Sequence, residues 1–426
     1  MLGLYPQRQN GLWMQRVKIP GGSPTAAQWG AIGRIARNFT PQTPLHLTTR
    51  QDIELHDLSA HRVPEVHAAL AAAGLSTIGA CGDAPRNVTV CPCGSDELLA
   101  LAGSIRQGLT DIDGVYSLPR KFKVSLSCSN GCGQPWINDL GLVASRKDGR
   151  WGFAVMAGGS LGARPGTGMK LYDWLDTAKV IPLAVATVRV FAANGDRENR
   201  RCARLRHVRE RIGDEALADL IAAELKVVCA QGDWPKVEFA EATAPLPVRA
   251  RLTFPNGDIS ADQAEALGDI ASADGLAVRI GSQHQVIVLA ANEARLNLVL
   301  QTPALTDARS RQSVVVSCPG TRWCSRGLTD TNAMADLLRN GLGPSLPPEM
   351  TVCISGCPNG CAHSSVADIG LSGGRIADGG QSRDVYNLMV GGGMGRNGGL
   401  AKMIHAKLTP AQVLESVRQW LREQLR

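Results

Sequence analysis

Two segments of the chain carry the same cysteine-containing pattern, and this internal repeat is the strongest constraint on the fold. The segment SCSNGCGQPWINDLGL at 127–142 resembles SGCPNGCAHSSVADIGL at 355–371. The aligned pairs, each 229 positions apart, are Cys128 with Cys357, Cys132 with Cys361, Asp139 with Asp368 and Gly141 with Gly370. Self-similarity at one offset indicates two copies of one structural unit.

Two further pairs of segments occur in the same order and support a duplication. VTVCPCG at 88–94 resembles VVVSCPG at 314–320, which aligns Cys91 with Cys318. LHLTTRQDIEL at 45–55 shares its apolar alternation with LAVRIGSQHQVIV at 276–288. We therefore expect two units, at about 1–240 and 246–426, joined through Ala242–Pro247, because prolines and small residues favour an extended connector.

Hydrophobic periodicity predicts that each unit begins with a small α/β module and continues with a larger one. Ser23 is the predicted N-cap of the first helix, with Pro24 at its first position. In the first unit the predicted strands are Trp13–Ile19 and Leu45–Leu55, and the predicted helices are Ala26–Asn38 and Glu65–Ala73. The weaker counterparts in the second unit are Val248–Phe254, Ala261–Ala273, Ala277–Ile280 and Val286–Leu289, and a last amphipathic helix is predicted at Pro410–Leu425.

The composition is that of a globular protein. The 426 residues are 44% hydrophobic, and the apolar stretch Val180–Phe191 is interrupted by Pro182 and Arg189, so we expect a cytoplasmic protein without a membrane span. The net charge of +7 is not concentrated in a tail, and aromatic residues make up only 4%, which argues against a nucleic-acid partner. The positive charge favours an anionic substrate or an acidic protein partner.

Four cysteines of the second unit have the spacing of a metal centre. Cys318 and Cys324 enclose five residues, whereas Cys357 and Cys361 enclose three, and both pairs lie in sequence rich in glycine and proline. Four thiolates on two such loops can hold an iron–sulfur cubane. A zinc site is a second interpretation, although the longer spacing is unusual for zinc, and buried core cysteines are a third.

The chain resembles the siroheme-dependent nitrite and sulfite reductases over almost its whole length. The spacing C-x5-C … C-x3-C, with the second pair written ISGCPNGCA, is similar to the motif of that family. The resemblance continues in GLYPQRQNGLWMQRVKIPGG, LHLTTRQDIELH, GDAPRNVTVCP, LPRKFKVSLS, INDLGLVA and YNLMVGGGMG. It implies an α+β fold in which two ferredoxin-like half-domains alternate with two larger α/β domains about a pseudo-twofold axis.

The resemblance also implies the domains and the cofactors. The expected domains are a first ferredoxin-like half-domain at 1–75, an anion-binding reductase domain at 76–240, a second half-domain at 246–305 and a cluster-binding reductase domain at 306–426. The implied cofactors are a [4Fe–4S] cluster and a siroheme that share one thiolate. The implied cluster ligands are Cys318, Cys324, Cys357 and Cys361, and Cys361 matches the sulfur that bridges to the siroheme.

Basic residues of the first unit are predicted to bind the substrate. Lys121 and Lys123 lie two positions apart on a predicted strand, so their side chains point to the same face. Taken singly, each basic residue is better explained by solvated surface charge. The resemblance places four of them in family motifs as catalytic residues: Arg50, Arg86, Lys121 and Lys123. Arg120 and Asn359 are the further predicted contacts to the siroheme carboxylates.

The implied reaction is the six-electron reduction of sulfite to sulfide or of nitrite to ammonia. Because no G-x-G-x-x-G follows a predicted strand, we expect the electrons to come from a separate donor such as ferredoxin. Two alternatives stay open: an oxygenase of the precorrin-3B synthase type, and an iron–sulfur electron-transfer subunit without siroheme. Cys93, Cys128 and Cys132 do not belong to the implied ligand set, so they are either remnants of the duplication or a second metal or redox site.

Overall fold

The computed structural model describes residues 2–129, 132, 134–239, 248–308, 314–393 and 398–424. The predicted connector Ala242–Pro247 lies outside these residues. The helices are α1 (Ala26–Phe39), α2 (Val63–Ala72), α3 (Asp96–Thr110), α4 (Val180–Asn194), α5 (Leu205–Ile212), α6 (Asp214–Ala230), α7 (Ala261–Ala271), α8 (Glu293–Leu300), α9 (Gly320–Trp323), α10 (Thr331–Leu342) and α11 (Pro410–Gln424).

The strands form four sheets. They are β1 (Leu4–Pro6), β2 (Leu12–Val17), β3 (Leu45–Leu47), β4 (Ile53–Ser59), β5 (Thr89–Val90), β6 (Val124–Ser127), β7 (Leu140–Lys147), β8 (Arg150–Ala157), β9 (Met169–Asp176), β10 (Val248–Thr253), β11 (Asp258–Ile259), β12 (Leu276–Ile280), β13 (Gln285–Ala290), β14 (Val314–Ser317), β15 (Thr351–Ser355), β16 (Ile369–Asp378), β17 (Gln381–Val390) and β18 (Lys402–Leu408).

The two larger sheets have the same topology, which confirms the predicted duplication. Their orders are β5-β6-β7-β8-β9 and β14-β15-β16-β17-β18. In each, the first two pairings are parallel and the last two are antiparallel. The register aligns Val124 with Val352, because these residues face Leu140 and Ile369 respectively. Equivalent loops therefore follow β5 and β14, and β6 and β15.

The two small modules share one hydrophobic core. The sheet β1-β2-β4-β3-β11 includes a strand from the second unit, since Ile259 of β11 pairs with Leu45 of β3. Helices α1 and α7 approach closely, because a side chain at Gly33 would meet Ala261 and one at Gly268 would meet Ala26. One cluster of buried residues contains side chains from both modules, among them Trp29 and Phe254.

Helix α1 begins at Ala26 as the sequence predicted, but its N-cap lies two residues later than the predicted Ser23. Thr25, and not Ser23, is its N-cap: the Thr25 hydroxyl accepts a hydrogen bond from the Gln28 amide at 3.2 Å, and the Gln28 side chain accepts one from the Thr25 amide at 3.0 Å. This reciprocal pair satisfies two amide groups at the helix start, which a Ser23 cap would not do. Ser260 and Gln263 repeat the arrangement at the start of α7.

Helix α4 is a core element of the larger module. By length and composition alone the segment 177–194, of mean hydropathy 1.2, could cross a membrane. However, every residue from Val180 to Val188 is buried, and the helix packs with the β5–β9 sheet and with α6 in one hydrophobic cluster. Its apolar composition is explained by burial inside this domain.

Gly141 and Gly370 occupy equivalent positions where only glycine fits. A Cβ atom at Gly141 would overlap the carbonyl oxygen of Pro135, and one at Gly370 would overlap the carbonyl oxygen of Ser364. Each glycine lies at the start of the strand after the second cysteine loop, on β7 and β16. Both loops must therefore cross tightly over the following strand, which fixes where the loops project.

We predict that Gly141→Ala lowers the free energy of unfolding by about 3 kcal/mol or more, because overlapping backbone atoms must move apart. Gly103→Ala is the matched control. Gly103 lies within α3, with no atom within 4 Å of the added Cβ, so alanine should be neutral or stabilise the helix by up to about 1 kcal/mol. Urea unfolding followed by circular dichroism measures both. Equal stability of the two variants would contradict the tight crossing.

Candidate active site

The four predicted cluster cysteines lie on two neighbouring loops at one edge of the β14–β18 sheet. Cys318 follows β14 directly, and α9 carries the chain on to Cys324. Cys357 and Cys361 follow β15, which is the parallel neighbour of β14. Parallel strands end at the same edge of a sheet, so both loops project from that edge. The structure thus places both cysteine pairs at the same edge of the sheet.

Amide groups point at three of these four sulfur atoms. The Gly356 amide donates to Cys318 Sγ at 3.2 Å. Cys324 receives the backbone amides of Arg326 and Gly327, and Cys357 receives both the backbone and the side-chain amide of Asn359. Donors of this kind stabilise thiolates and tune iron–sulfur clusters. The donor set therefore fits the [4Fe–4S] cluster, and Asn359, predicted to contact siroheme, hydrogen-bonds to Cys357 in this structure.

The four thiols act on one another electrostatically. Burial, followed by the neighbouring Cys361 thiol, raises the pKa of Cys318 to about 12. Burial also raises the pKa of Cys324 and of Cys357, and Cys361 adds to both shifts. Four thiols that oppose each other's ionisation are stable as thiolates only when a cation holds them.

Cys361 is the exposed member of the four, and it faces the first unit. Its backbone carbonyl accepts a hydrogen bond from the Thr49 hydroxyl at 2.8 Å, which links it to the loop between β3 and β4. The charge of Cys361 acts on both Lys121 and Lys123, raising their pKa values. The candidate site therefore lies between the two units, with Cys361 on one side and the two lysines on the other, and we call this region the chamber.

Lys121 and Lys123 are half-buried cations. Neither ammonium group has a salt bridge or hydrogen bond among the residues that the structure describes. Burial and then the nearby Arg204 lower the pKa of Lys121 to about 8. Burial, Arg50 and Lys121 lower the pKa of Lys123 well below its usual range. Positive groups that are held apart from carboxylates in this way are suited to bind an anion.

Arg50 and Arg86 line the same region, but their guanidinium groups are used largely to hold the backbone. Arg50 donates to Asn138 Oδ1 at 2.7 Å, to the Val124 carbonyl at 3.2 Å and to the Asn87 carbonyl. Its buried Nε atom has no partner within the described residues. Arg86 donates to the carbonyls of Gly79 at 3.3 Å and Gly82 at 2.8 Å.

Arg120 is turned toward a carboxylate. It forms an ion pair with Asp83 at 3.3 Å, and Arg200 shares that carboxylate at 2.8 Å. The contact between Arg120 and a siroheme carboxylate stays a prediction, because in this structure Arg120 is paired with Asp83.

Two cations at the chamber were missed by sequence reasoning. Arg204 donates to Asp139 Oδ2 at 2.7 Å, and the same oxygen accepts the Lys123 amide at 2.8 Å, so one carboxylate positions both residues. Lys18 lies near Arg50 and Arg86, and burial lowers its pKa to about 8. The only sequence signal near Arg204 was its partner Asp139, which the repeat aligns with Asp368. Asp368 accepts the Thr351 amide at 2.8 Å, as Asp139 accepts the Lys123 amide.

A hydrogen bond between equivalent residues marks the centre of the molecule. Gln134 Nε2 donates to His363 Nδ1 at 3.0 Å, and these residues are 229 positions apart. Burial, Lys123 and Arg50 lower the pKa of His363 to about 3, so its neutral ring accepts this bond. Equivalent residues meet each other beside a twofold axis, which is the arrangement that the resemblance implied.

A buried network anchors the Cys318–Cys324 loop to the first unit. Trp323 stacks on His56 with ring centroids 3.9 Å apart. His56 Nε2 is 3.2 Å from Glu54, which also pairs with Arg16 at 2.7 Å. Although burial opposes it, Arg16 holds the pKa of Glu54 well below its usual range. Arg322 of the same loop lies over the Trp323 ring, 3.9 Å from its centroid, and pairs with Asp258 of the second unit at 2.5 Å.

Comparison with protein families identifies this arrangement. Residues 81–228 and 309–425 match the nitrite and sulphite reductase 4Fe-4S domain, and residues 5–73 match the nitrite/sulfite reductase ferredoxin-like half domain. The chain belongs to the nitrite and sulfite reductase family. The protein is thus an oxidoreductase, and family membership implies the [4Fe–4S] cluster and siroheme as its cofactors.

Individual relatives agree with this family assignment. The chain is 28% identical to the assimilatory ferredoxin-dependent nitrite reductase of Haloferax mediterranei, covering 96% of this chain and 79% of the relative. It is 27% identical to the ferredoxin–nitrite reductase of Synechococcus elongatus, covering 97% and 86%. It is 26% identical to sulfite reductase [ferredoxin] 2 of Mycolicibacterium paratuberculosis, covering 94% and 80%.

The fold is that of a solved family structure. The Mycobacterium tuberculosis NirA protein superimposes with a TM-score of 0.83 at 24% identity, covering 99% of this chain and 86% of that one. These comparisons do not favour the precorrin-3B synthase type or the electron-transfer subunit.

Glu54→Gln is expected to lower the free energy of unfolding by about 2 kcal/mol, because it leaves the half-buried Arg16 and the buried His56 without the carboxylate that they share. Glu65→Gln removes an exposed pair with Arg62 and should cost about 0.5 kcal/mol or less. Urea unfolding monitored by tryptophan fluorescence compares them. If the two variants lose the same stability, the buried network does not anchor this loop.

Proposed function

We propose that this reductase converts nitrite to ammonia, or sulfite to sulfide, at a siroheme joined through Cys361 to a [4Fe–4S] cluster on Cys318, Cys324, Cys357 and Cys361. The observation that carries the proposal is the pair of uncompensated lysines facing Cys361 across the interface. A small oxyanion placed between them would neutralise the buried charge. Both anions fit this requirement, and the named relatives include reductases of each.

The chain and its cofactors have separate tasks in this proposal. When bound, the siroheme and the cluster supply the six electrons, which no side chain can provide. Lys123 holds the anion by charge, since its backbone is fixed by Asp139. Lys121, whose pKa is about 8, can give up a proton to an oxygen atom of the substrate and take another from solvent.

We also propose ferredoxin as the electron donor and the cytoplasm as the location. The relatives in Haloferax and Synechococcus are named as ferredoxin-dependent, and the net charge of +7 suits an acidic partner.

We propose domain boundaries at 1–75, 76–240, 246–305 and 306–426. The family matches at 5–73, 81–228 and 309–425 support these boundaries.

The proposal is tested by an absorption spectrum of protein purified without air, recorded before and after dithionite and then with nitrite or sulfite. We expect chlorin-type bands that shift with at least one anion, and reoxidation by that anion identifies the preferred substrate. An iron–sulfur shoulder without tetrapyrrole bands would refute the siroheme-dependent reaction.

Lys123→Met should lower kcat/KM for the preferred anion about 100-fold, because it removes a buried positive charge that the substrate meets. The iron and siroheme contents should stay unchanged. Lys147→Met, at an exposed position on β7, is the control and should keep the activity of the parent. Unaltered turnover in Lys123→Met would remove that residue from the site.

The activity should fall as the pH rises through about 8, because Lys121 is protonated below its pKa and neutral above it. The groups that act on Lys121 are Arg204, Cys361, Arg86 and Arg120. Lys121→Arg keeps the positive charge at all accessible pH values but cannot give up a proton, so its kcat/KM should be lower and its pH profile should lose this alkaline limb. A limb that persists in Lys121→Arg shows that another group causes it.

A further inference from the structure

A second set of four cysteines converges in the first unit, away from the chamber. The sulfur atoms of Cys91, Cys93, Cys128 and Cys132 all lie within 4.8 Å of one another. Cys93 and Cys128 are 3.4 Å apart, and Cys128 and Cys132 are 3.2 Å apart. All four are free thiols, and none of them belongs to the ligand set that the family motif implies.

The local fold explains why these thiols meet. The Cys91 amide continues the β5–β6 ladder by donating to the Leu126 carbonyl at 3.0 Å, and the Gly94 amide donates back to the Cys91 carbonyl at 2.8 Å. This turn folds Cys93 beside Cys91, although only one residue separates them. The Cys128 amide then donates to Cys91 Sγ at 3.1 Å, which joins the second loop to the first.

The set is the counterpart of the cluster ligands after β14 and β15. The amide-to-sulfur bond from Cys128 to Cys91 corresponds to the bond from Gly356 to Cys318, which is 3.2 Å long. The sulfur separations nevertheless differ between the units: among the described residues, Cys318, Cys324, Cys357 and Cys361 do not form so tight a group. A cubane holds its thiolates on its outer corners, whereas a single ion draws them close together.

We propose that Cys91, Cys93, Cys128 and Cys132 bind one zinc ion. Zinc–thiolate bonds of about 2.3 Å in a tetrahedron place the sulfur atoms about 3.8 Å apart, which lies within the spacing of this group. Closed tetrahedral sites with four sulfur ligands are typical of structural zinc. This proposal does not depend on the substrate or the siroheme of the proposed function.

A buried cation from the second unit compensates the charge of such a site. Zinc with four thiolates carries two negative charges, and Arg279 of β12 donates to the carbonyls of Pro92, at 3.2 Å, and Gly94. Arg279 also pairs with Asp96 at 3.0 Å, and its charge acts on Cys91 and Cys93. The zinc ion would thereby hold the cysteine loops in the conformation in which Arg279 donates to the Pro92 and Gly94 carbonyls.

The zinc site is distinct from the chamber. Cys128 follows the last residue of β6, whereas Lys123 precedes its first residue. Lys123 and Cys128 are therefore five residue steps apart along the strand, or about 16 Å. The zinc would stabilise the fold at one end of β6 while the lysine acts on the anion at the other end.

Metal analysis of the full-length holoprotein, purified without chelators, tests the proposal. We expect about one zinc ion per chain, with four sulfur neighbours at about 2.3 Å in the zinc-edge X-ray absorption spectrum. Cys128→Ser should lower the zinc content at least about tenfold and leave the iron content unchanged. Cys229→Ser, which changes an exposed thiol on α6, should retain both metals.

Each alternative gives a result that overturns the proposal. Wild-type protein without zinc would do so, as would a disulfide between any two of the four cysteines in mass spectrometry. Iron that is lost in Cys128→Ser but retained in Cys229→Ser would assign a second iron–sulfur centre instead. If Cys128→Ser does not fold, the zinc content and the absorption spectrum of the wild-type protein decide the question without it.

Discussion

The attraction between a set of thiolates and the cations that face them is the interaction on which this structure depends. Lys121 and Lys123 are half-buried and form no salt bridge with any described residue, and the Cys361 thiol is the negative group that acts on both from across the interface. Each side is unfavourable alone, because burial opposes the charge of the lysines and the thiols oppose each other's ionisation. A metal cluster bound by the thiolates and an anion bound by the lysines would remove both of these energetic costs.

Duplication followed by divergence accounts for the one-sided site. Asp139 and Asp368 accept equivalent amides, from Lys123 and Thr351, so the backbone is the same in both units. The side chains are not: the register that aligns Val124 with Val352 places Glu349 opposite Lys121 and Thr351 opposite Lys123. The second unit therefore lacks the anion grip, and one chamber forms in place of two.

The sequence predicted those features that a local pattern encodes. The repeat was recognised from aligned cysteines and glycines, and Gly141 and Gly370 are now seen to be required by the same backbone crossing. The N-cap of α1 was placed two residues early, because Ser23-Pro24 and Thr25 both carry a start signal and only the Gln28 side chain distinguishes them.

Features that depend on distant contacts escaped prediction. Arg204 is positioned by Asp139, 65 residues away, and Arg120 is held by Asp83. For Cys93 and Cys128 the spacing left two alternatives open, remnants of the duplication or a second metal or redox site, because the turn that brings the two sulfur atoms together is not evident from spacing alone. Local propensity carries no information about such pairs, since the tertiary fold selects them.

A crystal structure of the holoprotein with nitrite or sulfite bound tests the central claim most directly. The account predicts that the anion's oxygen atoms lie within hydrogen-bond distance of Lys121 and Lys123, between these lysines and Cys361. An anion held by other residues, or lysines that turn away from it into solvent, would contradict the account.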